Sequence, residues 1–357
     1  MTAGIRSSAR PSIPGASAGI GLLIAAAAAL IVAVAGFTGA LPSVCRGWLV
    51  GFAIWSSVPI GSMSLLMIHR LTGGAWGVAA RPVLRPAAAL MPMVLIAILP
   101  ILASLPSIYP WAADPGRVPA DVARWYLSSP WFALRALVTL AGWSVLGLVF
   151  AMGAGSRLLA ALGLAFFGLT ISLVSVDWYL SVEPDYVATA FAAMIVIQQM
   201  LAALALATVL TVRVLDPRVA GDLGGLLIAT LLGVVYLGYM TMVVAWYSDL
   251  PDKAEWFLKR VSPVWLVVLL VAFVVGALLP FGMLMIKSVR SSSNGLLIAG
   301  ALILIGVSLH LTWLITPAFP QQAATVAFAA ITLLVLALAS AVAARGVLSS
   351  LEGGDAD

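Results

Sequence analysis

The chain of 357 residues is short of charge. Only 9% of it is Asp, Glu, Lys or Arg, whereas 63% is hydrophobic. Soluble domains carry roughly 25% charged residues, so this composition leaves no surface to show water, and lipid is the solvent it suits. Cysteine is almost missing. Cys45 alone excludes an intrachain disulfide and an iron–sulfur cluster held by this chain. There are two histidines, His69 and His310, and no cluster of carboxylates, so no redox-metal site is evident. The net charge of +5 rests on 18 basic and 13 acidic side chains, too thin a layer for a nucleic-acid surface. No phosphate-binding loop, dinucleotide fingerprint or nucleophile elbow stands in the context it needs, and the Gly- and Ala-rich stretches read as close-packing surfaces.

What the chain has is long apolar runs. Ten windows of membrane-spanning length follow one another at about 18–38, 48–69, 87–105, 132–152, 158–181, 186–212, 223–247, 263–286, 295–316 and 322–344. The first is too long for a signal-peptide core and reads as a retained helix. Leu41 to Cys45 has the outline of a lipoprotein signal, but Val44 stands where a small residue is wanted, and a plain Cys at a helix entrance is the simpler reading. Pro59, Pro100 and Pro280 fall inside windows, which buried bundles tolerate. With the N-terminus placed in the cytoplasm, eleven basic residues fall inside and six outside, with Arg135 within a helix. This bias predicts a multi-pass protein of the cytoplasmic (inner) membrane with both termini inside. Aromatic and acidic residues gather outside, at Tyr109 to Trp111, Trp125–Tyr126, Glu183 to Tyr186 and Trp246 to Lys259.

An internal repeat is suggested by a constant offset of 133 residues. Ser129-Pro130 and Ser262-Pro263 open helices, Pro184 and Pro317 end them, and Asp177 and His310 each stand seven residues before those terminal prolines. The expected division is a tail and first helix over 1–44, a four-helix bundle over 45–184, a second over 185–317, and a last helix and tail over 318–357.

Ionisable groups inside a membrane carry a functional expectation because burying them is costly. Arg135, Asp177 and His310 lie at similar depth near the outer face. Asp177 is suited to accept or relay a proton, or simply to hold Arg135. His310 is suited to hydrogen-bond a hydroxyl or to relay protons near neutral pH, or to pack as a satisfied histidine. His69, beside Arg70 at the opposite face, reads as a packing residue, and two histidines so far apart cannot ligate one haem. Ser56, Ser57, Ser62, Ser64, Thr139, Ser144, Gln198, Gln199, Tyr236, Tyr239 and Thr241 form either a polar wire or, more commonly, interhelical glue.

Several strings in order carry a resemblance. They are His69-Arg70-Leu71-Thr72-Gly73-Gly74-Ala75-Trp76-Gly77 with Arg81 and Tyr109-Pro110-Trp111-Ala112; Tyr126-Leu127 with Pro130-Trp131-Phe132 and Arg135; Asp177-Trp178-Tyr179-Leu180-Ser181-Val182-Glu183-Pro184; Trp246-Tyr247-Ser248-Asp249-Leu250-Pro251 with Trp256, Arg260 and Leu279-Pro280-Phe281; and His310 with Trp313 and Pro317. Over about residues 45 to 320 the chain resembles the NrfD-like (polysulfide-reductase membrane-subunit-like) family of bacterial alternative complex III. The resemblance implies an all-α fold of ten transmembrane helices, two four-helix bundles and two flanking helices. It implies a metal-free subunit of a quinol:cytochrome c oxidoreductase, beside a paralogous NrfD-like subunit, an iron–sulfur subunit, haem c subunits and sometimes a terminal oxidase. Menaquinol or ubiquinol is the implied ligand. Asp177, Arg135 and His310 would handle its protons, and Trp178, Tyr239 and Trp313 would line its pocket. Two departures bear on a proton path: Leu311 and Thr312 stand where an acid is expected after the histidine, and polar residues are sparse in the inner half.

Two other classes fit the same helices. One is a secondary transporter built of two repeats, and the other is a purely structural anchor.

Overall fold

The computed structural model describes residues 39–247 and 251–354. The expected first helix at 18–38 lies outside the described residues. Among those described there is no strand, and nine helices are long and apolar enough to cross a membrane. The chain is therefore an all-α, multi-pass membrane protein. Its spans are α1 (Leu41–Thr72), α2 (Ala75–Ala103), α3 (Ser129–Ala151), α4 (Arg157–Val182), α5 (Phe191–Val214) and α6 (Pro217–Tyr247). After a short helix, α7 (Pro251–Arg260), come α8 (Pro263–Met285), α9 (Ser293–Ala318) and α10 (Gln322–Gly354). Successive spans alternate in direction. The turns 73–74, 152–156, 215–216 and 286–292 share one end, here called the basic end. The segments 104–128, 183–190 and 319–321, with α7, share the other, the aromatic end.

Each of the nine windows from 48–69 onward contains a helix, and the largest boundary error is instructive. The window 87–105 begins twelve residues late, because Arg81, Pro82, Arg85 and Pro86 read as a loop. They are helical all the same. A proline needs no N–H at a position whose carbonyl partner is otherwise met, and arginines at a helix end reach toward the interface. Prolines do break α2 further on, into Ala75–Ala89, Met91–Ala97 and Leu99–Ala103, each later piece carrying a proline in its first two positions. Pro59 sits in an unbroken α1, whereas Pro280 follows a π-helical turn at Val274–Leu278. A wider turn is one way to absorb a proline's missing donor and its clash with the preceding carbonyl.

α1 is the innermost helix: 89% of its apolar window is buried, against 11% for α6 and 17% for α10. Its small residues explain this. Gly47 and Gly51, four apart, lie where any Cβ would strike Phe328, Ala329 and Thr332 of α10, so the two backbones approach closely. Hydrogen bonds fix the register: Ser43 Oγ donates to Gln321 Oε1 (2.5 Å) and Trp55 Nε1 to Ser340 Oγ (2.7 Å). On its other sides α1 packs against α2, α4 and α5.

Candidate functional site

Among the described residues, four of the hydroxyls inside the bundle bond within their own helices. Ser57, Ser64, Ser144 and Thr241 each donate to a carbonyl three or four residues back on their own helix, at 2.6–2.9 Å. This is how an isolated hydroxyl is satisfied in an apolar medium, and it leaves no chain of donors among these hydroxyls. Nor are these four the glue between helices that the sequence suggests. The costly chemistry lies instead in two places toward the aromatic end.

The first is an ion pair between α3 and α4. Arg135 Nε donates to Asp177 Oδ2 (2.7 Å) and its Nη2 to Oδ1 (3.0 Å), a bidentate clasp. Nη2 also donates to the carbonyl of Tyr126 (2.9 Å), and the guanidinium lies 4.1 Å from the centre of that ring. Asp177 sits in a π-helical turn, Ser175–Tyr179, that swings its carboxylate toward α3. Tyr126, outside the spans, has its phenol pushed well above the ordinary value by burial and by the Asp177 carboxylate, so it stays protonated. Trp178 is buried among Phe52, Trp143 and Tyr179, and Tyr109 donates to its carbonyl (3.2 Å).

The second place is a cavity of about 420 Å³ walled by α5, α6, α8 and α9 and roofed by α7 and Tyr186. Its lining is almost wholly apolar, with His310 and Gln198 as its convergent polar groups. The Gln198 amide and His310 Nδ1 are in hydrogen-bond contact across α5 and α9, and the His310 ring stacks on Trp313 (5.5 Å, 19°). Among the described residues Gln198 Oε1 has no hydrogen-bond partner. One turn before His310, Gly306 meets Gly276 of α8 backbone to backbone, and a Cβ on either would strike the other's Cα. That crossing sets the width of the cavity wall beside the histidine. Tyr239 and Trp313 line the cavity as well. Asp177, Arg135 and Trp178 do not. Of the six residues singled out from sequence, Arg135 and Asp177 form the ion pair, His310, Tyr239 and Trp313 line the cavity, and Trp178 belongs to neither.

The roof is built by residues that sequence reading did not single out for a role. Arg260, 2% exposed, closes α7 onto α9. It donates to Leu314 O from Nε (3.2 Å) and Nη2 (2.8 Å), to Trp256 O from Nη1 (3.0 Å) and to Glu183 Oε2 (2.5 Å). Its guanidinium lies 3.6 Å from the centre of the Trp256 ring, which stacks on Tyr186 (4.2 Å, 11°). Trp313 Nε1 returns a bond to Arg260 O (3.1 Å). Burial lowers the Arg260 pKa from its ordinary value, with Glu183 opposing. Burial raises that of Tyr186 to about 12, with Arg260 opposing and Glu183 adding. Glu183-Pro184 and the run Trp256 to Arg260 are visible in sequence, but 77 residues separate the ion pair, and nothing local marks it.

At the basic end His69 is held locally: its Nε2 contacts Gly74 O (3.1 Å), and its ring meets Trp76 edge-on (5.2 Å). Cys45 lies in the first turn of α1, half-buried and free. No group of three or more His, Cys, Asp or Glu comes together among the described residues. Compared with known proteins, the chain matches no family model and no curated protein.

Proposed function

We propose that this chain is a membrane subunit of a quinol-oxidising electron-transfer complex of the alternative complex III type, and that the cavity beside His310 holds the quinol head group. The observation that carries the reading is the cavity itself. It has the size and apolar lining of a ligand site, with a few polar groups converging on one place. The Gln198–His310 contact suits both forms of the ligand. With the amide donating to Nδ1, the ring carries its proton on Nε2 and donates to a quinone carbonyl. With the amide turned over, Oε1 accepts from Nδ1–H, and Nε2 is left as an acceptor for a quinol hydroxyl. A quinol loses two protons and two electrons as it becomes a quinone. In this reading one proton goes to His310 and the other to water at the cavity mouth. The electrons leave singly to an iron–sulfur cluster or haem of a partner subunit.

Arg135 and Asp177 are assigned a positioning role, locking the π turn of α4 to α3. The two halves, α1–α4 and α5–α9, are read as repeated four-helix bundles. Two matches support this: α3 and α8 both have 23 residues, and α4 and α9 both have 26. The cytoplasmic side is assigned to the basic end on the positive-inside bias.

His310→Leu in the purified complex tests the site. A proton-transfer group contributes typically 10²–10⁴-fold, so quinol oxidation should fall by about that factor while the subunits still co-purify. An unchanged rate would reject the cavity. A chain that purifies alone, without cytochrome or iron–sulfur partners, would favour the transporter reading.

A further inference from the structure

The ion pair and the cavity leave one cluster of charge unexplained. Where α1 turns into α2 and α3 into α4, a pocket of about 260 Å³ opens at the basic end. Arg70, Arg81, Arg85 and Arg157 line it together with His69, and no acidic residue does. The chain has no Asp or Glu at all before Asp114, so α1 and α2 bring none to this site. Arg70, Arg81 and Arg157 have neither a hydrogen-bond nor an ion-pair partner among the described residues. Arg85 runs alongside Gly153, whose φ of +77° makes the tight turn before α4.

Arg70, Arg81 and Arg157, without a partner among the described residues, repel one another around one small pocket. Water screens part of that repulsion at the exposed Arg70 and Arg157, and an anion in the pocket relieves the rest. Guanidinium forks match the oxygens of a phosphate in pairs. The start of α4, at Arg157, brings the positive end of its helix dipole to the pocket's edge, with Ser156 Oγ accepting from Leu159 N there. The pocket also lies where four apolar spans end, the depth at which lipid head groups sit, and basic pockets between spans are known to take such groups.

We propose that this pocket is a binding site for a phosphate-bearing anion, supplied by the head group of an anionic phospholipid or by free phosphate. Its occupant ties the α1–α2 and α3–α4 turns together at the end opposite the cavity.

The test uses the full chain, delipidated in neutral detergent. Phosphatidylglycerol, phosphatidylcholine and inorganic phosphate are each titrated against the wild type and against Arg70→Gln/Arg157→Gln. Both of these arginines are exposed, so the double variant should fold; equal unfolding temperatures without lipid confirm it. Native mass spectrometry counts bound lipid, and unfolding temperature reports phosphate. At about 1 kcal/mol per basic residue, each removed arginine weakens binding roughly fivefold, and the pair roughly 25-fold. Phosphatidylglycerol binding that depends on the arginines supports the proposal with lipid as the source. Phosphate stabilisation that depends on them, without a preference for phosphatidylglycerol, supports it with free phosphate as the source. The proposal is overturned if phosphatidylglycerol binds no better than phosphatidylcholine and phosphate has no effect. It is equally overturned if the double variant binds as the wild type does. Because the readout is binding, its failure is separate from any failure of the quinol reading.

Discussion

Removing Asp177 and Arg135 singly and together should separate a clasp from a proton relay. The carboxylate is 2% exposed and the guanidinium 17%, and two hydrogen bonds of 2.7 and 3.0 Å join them. Asp177→Leu strands a cation that cannot lose its proton. Breaking a buried pair from one side costs about 3–5 kcal/mol. Arg135 keeps the Tyr126 carbonyl, the Tyr126 ring and some exposure. The lower bound therefore applies, about 3 kcal/mol, or a factor of roughly 150 in the folded-to-unfolded ratio. Arg135→Leu with Asp177→Leu removes both charges and their desolvation together, and should end within about 1 kcal/mol of the wild type. The cycle then gives a coupling energy of at least about 3 kcal/mol. It is measured from the denaturing-detergent midpoint of the full chain in mixed micelles, followed by tryptophan fluorescence. Single variants within about 0.5 kcal/mol of the wild type, with an additive double variant, would show that the pair is effectively solvated, and the positioning role would fall. Asp177→Asn, assayed in the complex, completes the comparison. A stability loss with quinol oxidation unchanged is expected of a clasp, and a lost rate is expected of a relay.

Other outcomes follow from the cavity and its roof. Arg260→Ala should cost about 3 kcal/mol, the lower end of the range for a broken buried pair, because it removes the donor to two carbonyls and leaves Glu183 with Lys259 alone, at 3.4 Å. Arg260→Lys should recover only part of this, because one ammonium cannot reach all three partners; the same unfolding midpoints measure both. Gly306→Ala forces a Cβ into the Gly276 backbone and should cost about 1–3 kcal/mol. It should also weaken binding of a quinol analogue, read by calorimetry, while Gly168→Ala, with open space at its Cβ and away from the cavity lining, changes neither. Gln198→Leu should lower the rate of quinol oxidation less than His310→Leu, since it removes the histidine's orienting partner and leaves the histidine.

The spans were legible because nothing but apolar length is needed to make one. Their ends were less so. Arg81 and Arg85 disguised the start of α2 as a loop. The Arg135–Asp177 pair could be anticipated, since two opposite charges at matched depth on adjacent helices have few other partners. The partner of His310 could not. Gln198 is one polar residue among many in an apolar run, and only the approach of α5 to α9 selects it over Gln199 beside it. Trp178 was misleading for a related reason. It neighbours Asp177 in sequence, but successive helical side chains point in different directions, and its own direction is into the core.

The division of polar groups between the two halves bears on how the repeat would be used. Asp177 and His310 stand 133 residues apart at matched places before Pro184 and Pro317. One is locked by a guanidinium in a closed bundle, while the other faces an open cavity. The counterpart of Arg135 at the same offset is Val268 of α8, so α8 has no cation at the matching place. The two helices flanking the cavity, α6 and α8, are also among the least buried, at 11% and 22% of their windows. In the proposed reading, a pair of repeats with one bundle sealed by an ion pair and the other left hollow would suit a scaffold with a single ligand site. Restoring the symmetry is then informative. Val268→Arg with His310→Asp should rebuild a clasp across α8 and α9 and fill part of the cavity. It should abolish binding of a quinol analogue while holding stability closer to the wild type than either change alone. Analogue binding that survives the double change would place the ligand elsewhere.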